Sequence, residues 1–293
     1  MKRSLVLSGG ASKIAFQLGA FEALQDKQFT SIYGISCGAI LAAMLGQNKL
    51  DIAHKVILNL ENRNVYQGKI SVFAALKAII LGKESVLDTT PLRKMLTENV
   101  RKEDFVVDTY FSFVDMFTGE FMTFSVSECV NTEAIIDCIM ASAAMPLAMP
   151  PVKNRYFDGG IYKVSPLSEA IKGNPDEIVI VNCFNRAEKV KNDCVKIPQI
   201  AFWLLSEAMP ANAAKSSIEP FLMLNEVLRQ MPGKEVNILF DGKLRTIRYF
   251  DYLLIEPTIS LGDSFDFSAN SMLERWKHGL EVVMKNKTRN FLG

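Results

Sequence analysis

Histidine is nearly absent from this chain. Its 293 residues contain two, His54 and His278. A nucleophilic serine or cysteine that needs an imidazole base must use one of these. Both lie in amphipathic helical patterns, D-I-A-H-K-V-I-L and E-R-W-K-H-G-L-E, not in a turn after a strand. Each reads as a surface helix residue. Cysteine is also scarce: five residues, an odd number, with no C-x-x-C pair. That excludes a disulfide framework, argues against a zinc site, and predicts free thiols in a reducing compartment. There is no block of basic residues, and 33 basic against 32 acidic residues leave a net charge of +1. Nucleic acid is therefore not an expected partner. Long apolar runs are missing as well. The start, M-K-R-S-L-V-L-S-G-G, carries three apolar residues before Ser8-Gly9-Gly10, short of the roughly 7 to 15 of a secretory segment. The apolar stretch 134–152 is broken by Asp137, Pro146, Pro150 and Pro151 and makes no clean membrane span. The expectation is a soluble cytoplasmic protein, at most peripheral at a membrane.

What is present is a succession of strand and helix signals. Leu5-Val6-Leu7 predicts a short buried strand ended by Gly9-Gly10. A helical pattern follows over about 12–27, with Ser12 as its N-cap and Ile14, Leu18, Phe21 and Leu24 on one face. Phe29 to Ile35 predicts a second strand, and Cys37 to Leu45 a helix apolar all round, hence buried. Strand, glycine turn, helix, strand, tight turn, helix is the order of a parallel sheet covered on its faces.

Further along, 50–100 is helical in pattern, with Thr90 capping and Pro91 opening a helix. Strands are predicted on either side of Gly119, and a helix over 132–144. A short strand at Arg155-Tyr156-Phe157 leads into Asp158-Gly159-Gly160. Ser165-Pro166 reads as another helix start, and 177–183 as a central strand. Two helical stretches over about 199–231, a strand pair near 235–255 turning at Asp241-Gly242, and a helix over 270–285 complete the chain. No repeat or linker divides it, so one domain over 1–293 is expected.

Three short segments could carry chemistry. Gly34-Ile35-Ser36-Cys37-Gly38 fits the G-x-S-x-G form of a nucleophile elbow. By itself that match occurs by chance in roughly one chain in ten of this size. Its surroundings, a strand before and a helix after, fit an elbow; they equally fit a turn in which Ser36 is a cap. In an elbow, Gly34 and Gly38 keep side chains out of a sharp turn, and the helix N-terminus favours a developing oxyanion. Since neither histidine is well placed, a catalytic Ser36 would need a carboxylate base. Asp158, after a strand and before Gly159-Gly160, is the candidate, although an Asp-Gly pair also suits a hairpin turn. Ser8-Gly9-Gly10-Ala11-Ser12-Lys13 is neither a Walker loop nor a dinucleotide fingerprint. It still joins a strand to a helix, so its amides can converge on an anion. Cys37 sits beside Ser36, where a small buried filler is the expected role rather than a second nucleophile.

Together these segments resemble the patatin-like phospholipases. The likeness rests on Leu7-Ser8-Gly9-Gly10 with Lys13, on Ala15 to Gly19, on Gly34 to Gly38, on Asp88 to Leu92, and on residues 141–170, which hold Y-F-D-G-G and S-P-L-S-E-A. The matching segments fall within about the first 180 residues. The resemblance implies a three-layer α/β/α fold with a mostly parallel central sheet. It implies a Ser36–Asp158 dyad without histidine, oxyanion donors at Gly9, Gly10 and Ala11, and no metal or organic cofactor. The implied reaction is hydrolysis of fatty acyl esters of phospholipids or lysophospholipids through an acyl-enzyme on Ser36. An acyltransferase or thioesterase with the same dyad, or a non-catalytic lipid-binding protein, are the alternatives. The chain departs from the family pattern at Ala11, usually Gly, and at Ile14, usually small. Lys13 matches a basic position of the loop, as a phosphate attractor or as a solvated first-turn lysine. Residues 185–293 carry no family signature. Within them 199–231, with Phe202, Trp203, Met209 and Phe221 to Leu224, is expected as core packing, or as an acyl-pocket, lid or membrane-contact element.

Overall fold

The computed structural model describes residues 1–68, 85–146, 148–187 and 196–291. Its centre is a seven-stranded mixed sheet, built from β1 (Arg3–Leu7), β2 (Ser31–Ile35), β3 (Asp108–Asp115), β4 (Phe121–Ser125), β5 (Tyr156–Asp158), β6 (Glu177–Val181) and, late in the chain, Asp251–Ile255. The path runs β4-β3-β2-β1-β6 and ends on Asp251–Ile255, with β5 pairing β3. Five strands are parallel; β4 and β5 run antiparallel to β3.

Strand side chains alternate between faces, and here both faces are covered. Leu5, Leu7, Val179 and Val181 join the larger core. It is closed by α1 (Ile14–Glu22), α2 (Cys37–Gly46), α3 (Leu50–Leu58), α4 (Thr90–Asn99) and α5 (Thr132–Ala143), together with the C-terminal helix Ala269–Phe291. Val6, Ile178 and Ile180 face the other way, onto α6 (Leu167–Lys172) and the long helix Met209–Gln230. The fold is thus an α/β layering, helices on both sides of a mostly parallel sheet. β6, Glu-Ile-Val-Ile-Val, is buried at every position, as a central parallel strand requires. α2 is buried at all ten positions, as its continuous small apolar sequence predicts.

Several expectations change in detail. The stretch 199–231 becomes α7 (Ile197–Trp203), a π-helical turn at Leu204–Ala208, and α8 (Met209–Gln230). The predicted strand pair at 235–255 is three strands in two sheets. β7 (Glu235–Phe240) and β8 (Lys243–Arg248) form a separate hairpin, while β9 (Asp251–Ile255) enters the main sheet parallel to β6. The sequence pattern shows the Asp241-Gly242 turn but not the third strand or its partner. α9 (Ala269–Phe291) extends beyond the predicted end and packs on α1. A Cβ at Gly19 would lie 2.0 Å from the Trp276 carbonyl, and one at Gly279 2.1 Å from that of Phe16. The two helices therefore touch backbone to backbone.

Three caps also differ. Ser12 does not cap α1; its hydroxyl is buried and donates to the Ser264 carbonyl at 2.7 Å. Asp88, not Thr90, opens α4, accepting the Thr90 N–H at 2.9 Å and the Thr90 hydroxyl at 2.6 Å. Ser165 makes no cap to α6. Of the helical pattern over 50–100, the part at 69–84 lies outside the described residues. Among those described, no helix is long and apolar enough to cross a membrane.

Candidate active site

β2 ends at Ile35 and α2 begins at Cys37, leaving Ser36 alone to reverse the chain. It does so at φ 55, ψ −126, a region where a residue with a Cβ is strained. The turn closes only because both flanking positions lack side chains. A Cβ on Gly34 would lie 2.4 Å from the Gly38 carbonyl oxygen, and one on Gly38 2.5 Å from that of Leu7. Ser142, which sequence reasoning did not single out, holds the elbow from below. Its hydroxyl accepts the Ser36 N–H at 2.8 Å and donates to the Ser112 carbonyl at 2.6 Å. No local signal marks it, because its role depends on α5 crossing the sheet end.

The register explains how Asp158 reaches this turn. Phe113 and Val114 of β3 pair with Met122 and Phe121 of β4, and also with Asp158 and Phe157 of β5. A strand has two edges, so β5 occupies the edge that β2 uses lower down. There Ile35 pairs with Ser112 and Asp158 with the next residue, Phe113. The elbow turns β2 out of its lane, and β5 enters the vacated lane from the opposite direction with Asp158 leading. The Ser36 side chain lies close enough to the Asp158 carboxylate to favour its charged form. The carboxylate is anchored by the Gly160 N–H, which donates to Oδ1 at 2.7 Å. Asp158 is 7% exposed. Burial pushes its pKa up from 3.8 to about 6, against the lowering effects of the Gly160 N–H and the Ser36 side chain. Gly159 sits tightly too, its missing side chain leaving room for Ile35 and Phe121. No hairpin forms at Asp158-Gly159; a single 3₁₀ turn at Gly159–Ile161 follows instead.

The glycine-rich loop lies against the elbow: a Cβ on Gly9 would stand 3.2 Å from that of Ser36. Gly9, Gly10 and Ala11 all line the cleft. The Gly9 N–H, however, is donated to the Val164 carbonyl at 2.8 Å. The amides of Gly10 and Ala11 make no hydrogen bond to the described residues. Ala11 adopts φ 49, so the position does take the left-handed conformation that disfavours a Cβ. Ala11→Gly is expected to raise stability by up to about 1 kcal/mol, the relief of that conformation less the added freedom of the unfolded chain. A thermal melt that moves downward would show the strain to be absent. Ile14 is fully buried and lines the cleft, filling the space a smaller residue would leave.

Lys13 is neither solvated nor available to a phosphate. It is 4% exposed, its ammonium lies 2.7 Å from Glu207 Oε2, and it sits 4.4 Å above the centre of the Phe184 ring. Glu207 also accepts the Ser264 N–H at 2.8 Å through its other oxygen. The pair therefore fastens the π-helical turn to the glycine-rich loop. Nearby, the buried Arg275 guanidinium donates to the Ser12 hydroxyl at 2.7 Å, tying α9 to the same loop. Lys13→Met leaves Glu207 without its cation and is expected to cost about 2 kcal/mol. Denaturant unfolding of the single variant and of Lys13→Met/Glu207→Leu should show the double change to be the milder.

Around this polar cluster the cleft is apolar. Ile40, Leu60, Val65, Leu92, Met145 and Met149 line one part, and Phe184, Leu205, Met209, Phe265 and Phe267 another. It encloses about 970 Å³, its open mouth included. Leu205, Ser206, Met209 and Pro210 bring the 199–231 stretch into the wall. The Phe202 side chain lies outside the described residues; Trp203 is half-buried, its indole N–H without a partner among them. Cys37 is buried, its thiol directed at the Ser8 carbonyl 3.8 Å away, and burial beside Cys183 pushes its pKa up. It is a filler, as expected. Neither histidine lines the cleft. His54 pairs with Glu22 at 2.6 Å on the far side of α1. His278 is not the surface residue its pattern predicts: it is buried against Phe16 and accepts the Thr258 N–H at 3.1 Å.

A family model described as patatin-like phospholipase matches residues 5–171. Among solved structures, VipD from Legionella pneumophila is similar, at 15% sequence identity and a TM-score of 0.44. That match covers 97% of this chain and 66% of the VipD chain, so this chain spans less than two thirds of its length. No curated protein matches.

Proposed function

The chain belongs to the patatin-like phospholipase family, and from that premise we propose that it is a serine lipid acyl hydrolase with Ser36 as nucleophile and Asp158 as base. Family membership implies the reaction class. One observation carries the residue assignment: the Ser36 side chain stands by a buried carboxylate, that of Asp158, in an apolar cleft that no histidine enters.

The chemistry follows from that arrangement. Asp158, ionised, accepts the proton as Ser36 Oγ attacks the ester carbonyl carbon. The carbonyl oxygen gains the charge, and the free amides of Gly10 and Ala11 are the donors nearest to receive it, with the N-terminus of α2 behind the nucleophile. Gly9, whose N–H is already spent on Val164, shapes the loop and does not donate. Collapse of the tetrahedral adduct expels the alcohol, which takes the proton from Asp158. Water then attacks the acyl-Ser36 ester, giving its proton to Asp158, which returns it to the departing Ser36 Oγ as the fatty acid is released. The apolar walls suit an acyl chain and exclude competing water. Ala11 fits the loop at its positive φ, so the departure from the family pattern leaves the donors in place.

A fluorophosphonate probe tests the assignment directly. The wild type is expected to label at Ser36 and Ser36→Ala not to label, with ester hydrolysis across a phospholipid and lysophospholipid panel lost in parallel. A folded wild type that neither labels nor hydrolyses any ester would refute the proposal.

A further inference from the structure

The cleft wall continues outward into a surface of different character. Gly160 and Ile161 line the cleft, and the next residue, Tyr162, is 55% exposed. Beside it stands the turn between β3 and β4, Met116-Phe117-Thr118-Gly119-Glu120. A Cβ on Gly119 would lie 3.7 Å from the Tyr162 hydroxyl. Turn tips are ordinarily polar, yet Met116 is 49% and Phe117 71% exposed here. The turn is held firmly. The Asp115 carboxylate accepts the Phe117 N–H at 3.0 Å, and the Asp115 carbonyl accepts that of Gly119 at 2.8 Å. Single exposed apolar residues are common, but three large ones fixed at one corner beside a cleft mouth form a patch.

The charges around the patch are layered. Met116 donates its N–H to the Arg155 carbonyl, and the Arg155 guanidinium lies 5.9 Å from the Phe117 ring centre. The side chains of Lys153, Arg155 and Lys163 are 66%, 42% and 39% exposed, while their partners Asp137, Asp115 and Glu169 are 18%, 3% and 14% exposed. The cations stand outermost and the carboxylates lie beneath them. Glu120 is the one carboxylate of the turn that reaches solvent. An apolar wedge with a tyrosine and an outer ring of cations complements a bilayer whose headgroups carry negative charge.

We propose that this corner, Met116, Phe117 and Tyr162 ringed by Lys153, Arg155 and Lys163, docks the protein on an anionic phospholipid surface with the cleft mouth turned towards it. The purpose of the docking rests on the lipid acyl hydrolase reading; the docking itself does not. The test is co-sedimentation of the full chain, carrying Ser36→Ala to spare the lipid, with phosphatidylcholine vesicles with and without phosphatidylserine. Binding is expected to favour the phosphatidylserine vesicles and to weaken with salt. Met116→Ser/Phe117→Ser is expected to lower it about tenfold or more. Lys153→Gln/Lys163→Gln should lower it about fivefold or more and erase the preference for phosphatidylserine. That pair leaves Asp137 its contact with Arg93 and Glu169 its contact with Lys172. With Ser36 intact, both double variants should hydrolyse a soluble short-chain ester as the wild type does. Vesicle binding that ignores these residues, or that responds only to Leu204→Ser on α7's side of the cleft, would overturn the docking. So would parallel loss of soluble-ester turnover, which would make the turn structural. A chain that binds vesicles through this corner but hydrolyses no ester would instead refute the hydrolase reading alone.

Discussion

Asp158→Asn is expected to abolish turnover, by about 10,000-fold, while the protein stays folded and gains stability above about pH 6. Asparagine keeps the shape and can still accept the Gly160 N–H, but it cannot take a proton from Ser36. The stability change has the opposite sign for a physical reason. In the fold the Asp158 carboxyl is buried and its pKa is raised from 3.8 to about 6. Between those values the native state holds a proton that the unfolded chain releases. Stability therefore falls as pH rises through that window, and above it the buried charge costs on the order of 3 kcal/mol. The variant should lack this slope. Denaturant melts across the window, compared between wild type and variant, read it directly. In the proposed mechanism the same carboxyl sets the activity profile. A base must be ionised, so kcat/KM is expected to rise up to about pH 6 and then level off. A wild-type profile flat through the window, or a variant of lower stability above it, would count against Asp158 as the desolvated base.

The second large effect concerns the elbow. Gly38→Ala is expected to cost about 3 kcal/mol or more and to reduce turnover at least about a hundredfold. The added Cβ would fall 2.5 Å from the Leu7 oxygen and 2.6 Å from that of Ser8. Both are backbone atoms of β1 and its following loop, which cannot rotate aside as a side chain would. Relief requires α2 to move off β1, and α2 carries Ser36 at its N-terminus. Gly34→Ala should act likewise through the Gly38 carbonyl, 2.4 Å away. Urea unfolding and fluorophosphonate labelling rates check both; a Gly38→Ala protein of wild-type stability and labelling would show that the turn is looser than its geometry implies. The two predictions separate cleanly. One removes the proposed proton acceptor from an intact site, and the other displaces the proposed nucleophile with every functional group retained.

How far the sequence reached is clearest at particular residues. Strand, tight glycine turn and buried helix around Ser36 could be read locally, because they follow from side-chain periodicity and from sterics within about ten residues. The shortage of histidine, by the same kind of reading, left either an inert Ser36 or a carboxylate base. Asp158 as that carboxylate could be nominated from its strand and glycines, but its meeting with Ser36 could not be derived. That meeting depends on β5 filling the lane that β2 leaves beside β3. The state of the loop amides was only partly legible. Three amides were expected, yet Val164 claims that of Gly9, and whether Ala11 takes a positive φ is decided by the packing of the loop.

Lys13 marks the boundary. From its neighbours it is a first-turn lysine; its partner Glu207 lies 194 positions away, and so the solvated reading failed. His278 and β9 failed for the same reason, one buried by α1 and the other recruited by β6. The sequence alone determined where the chain bends, which faces are apolar and which residue types are available for chemistry, since each of these is a property of short segments. The tertiary structure alone decided which amide remains free, which charge is paired and which carboxylate reaches the serine. Those outcomes depend on desolvation and on competition for hydrogen bonds among groups that only the completed fold brings together.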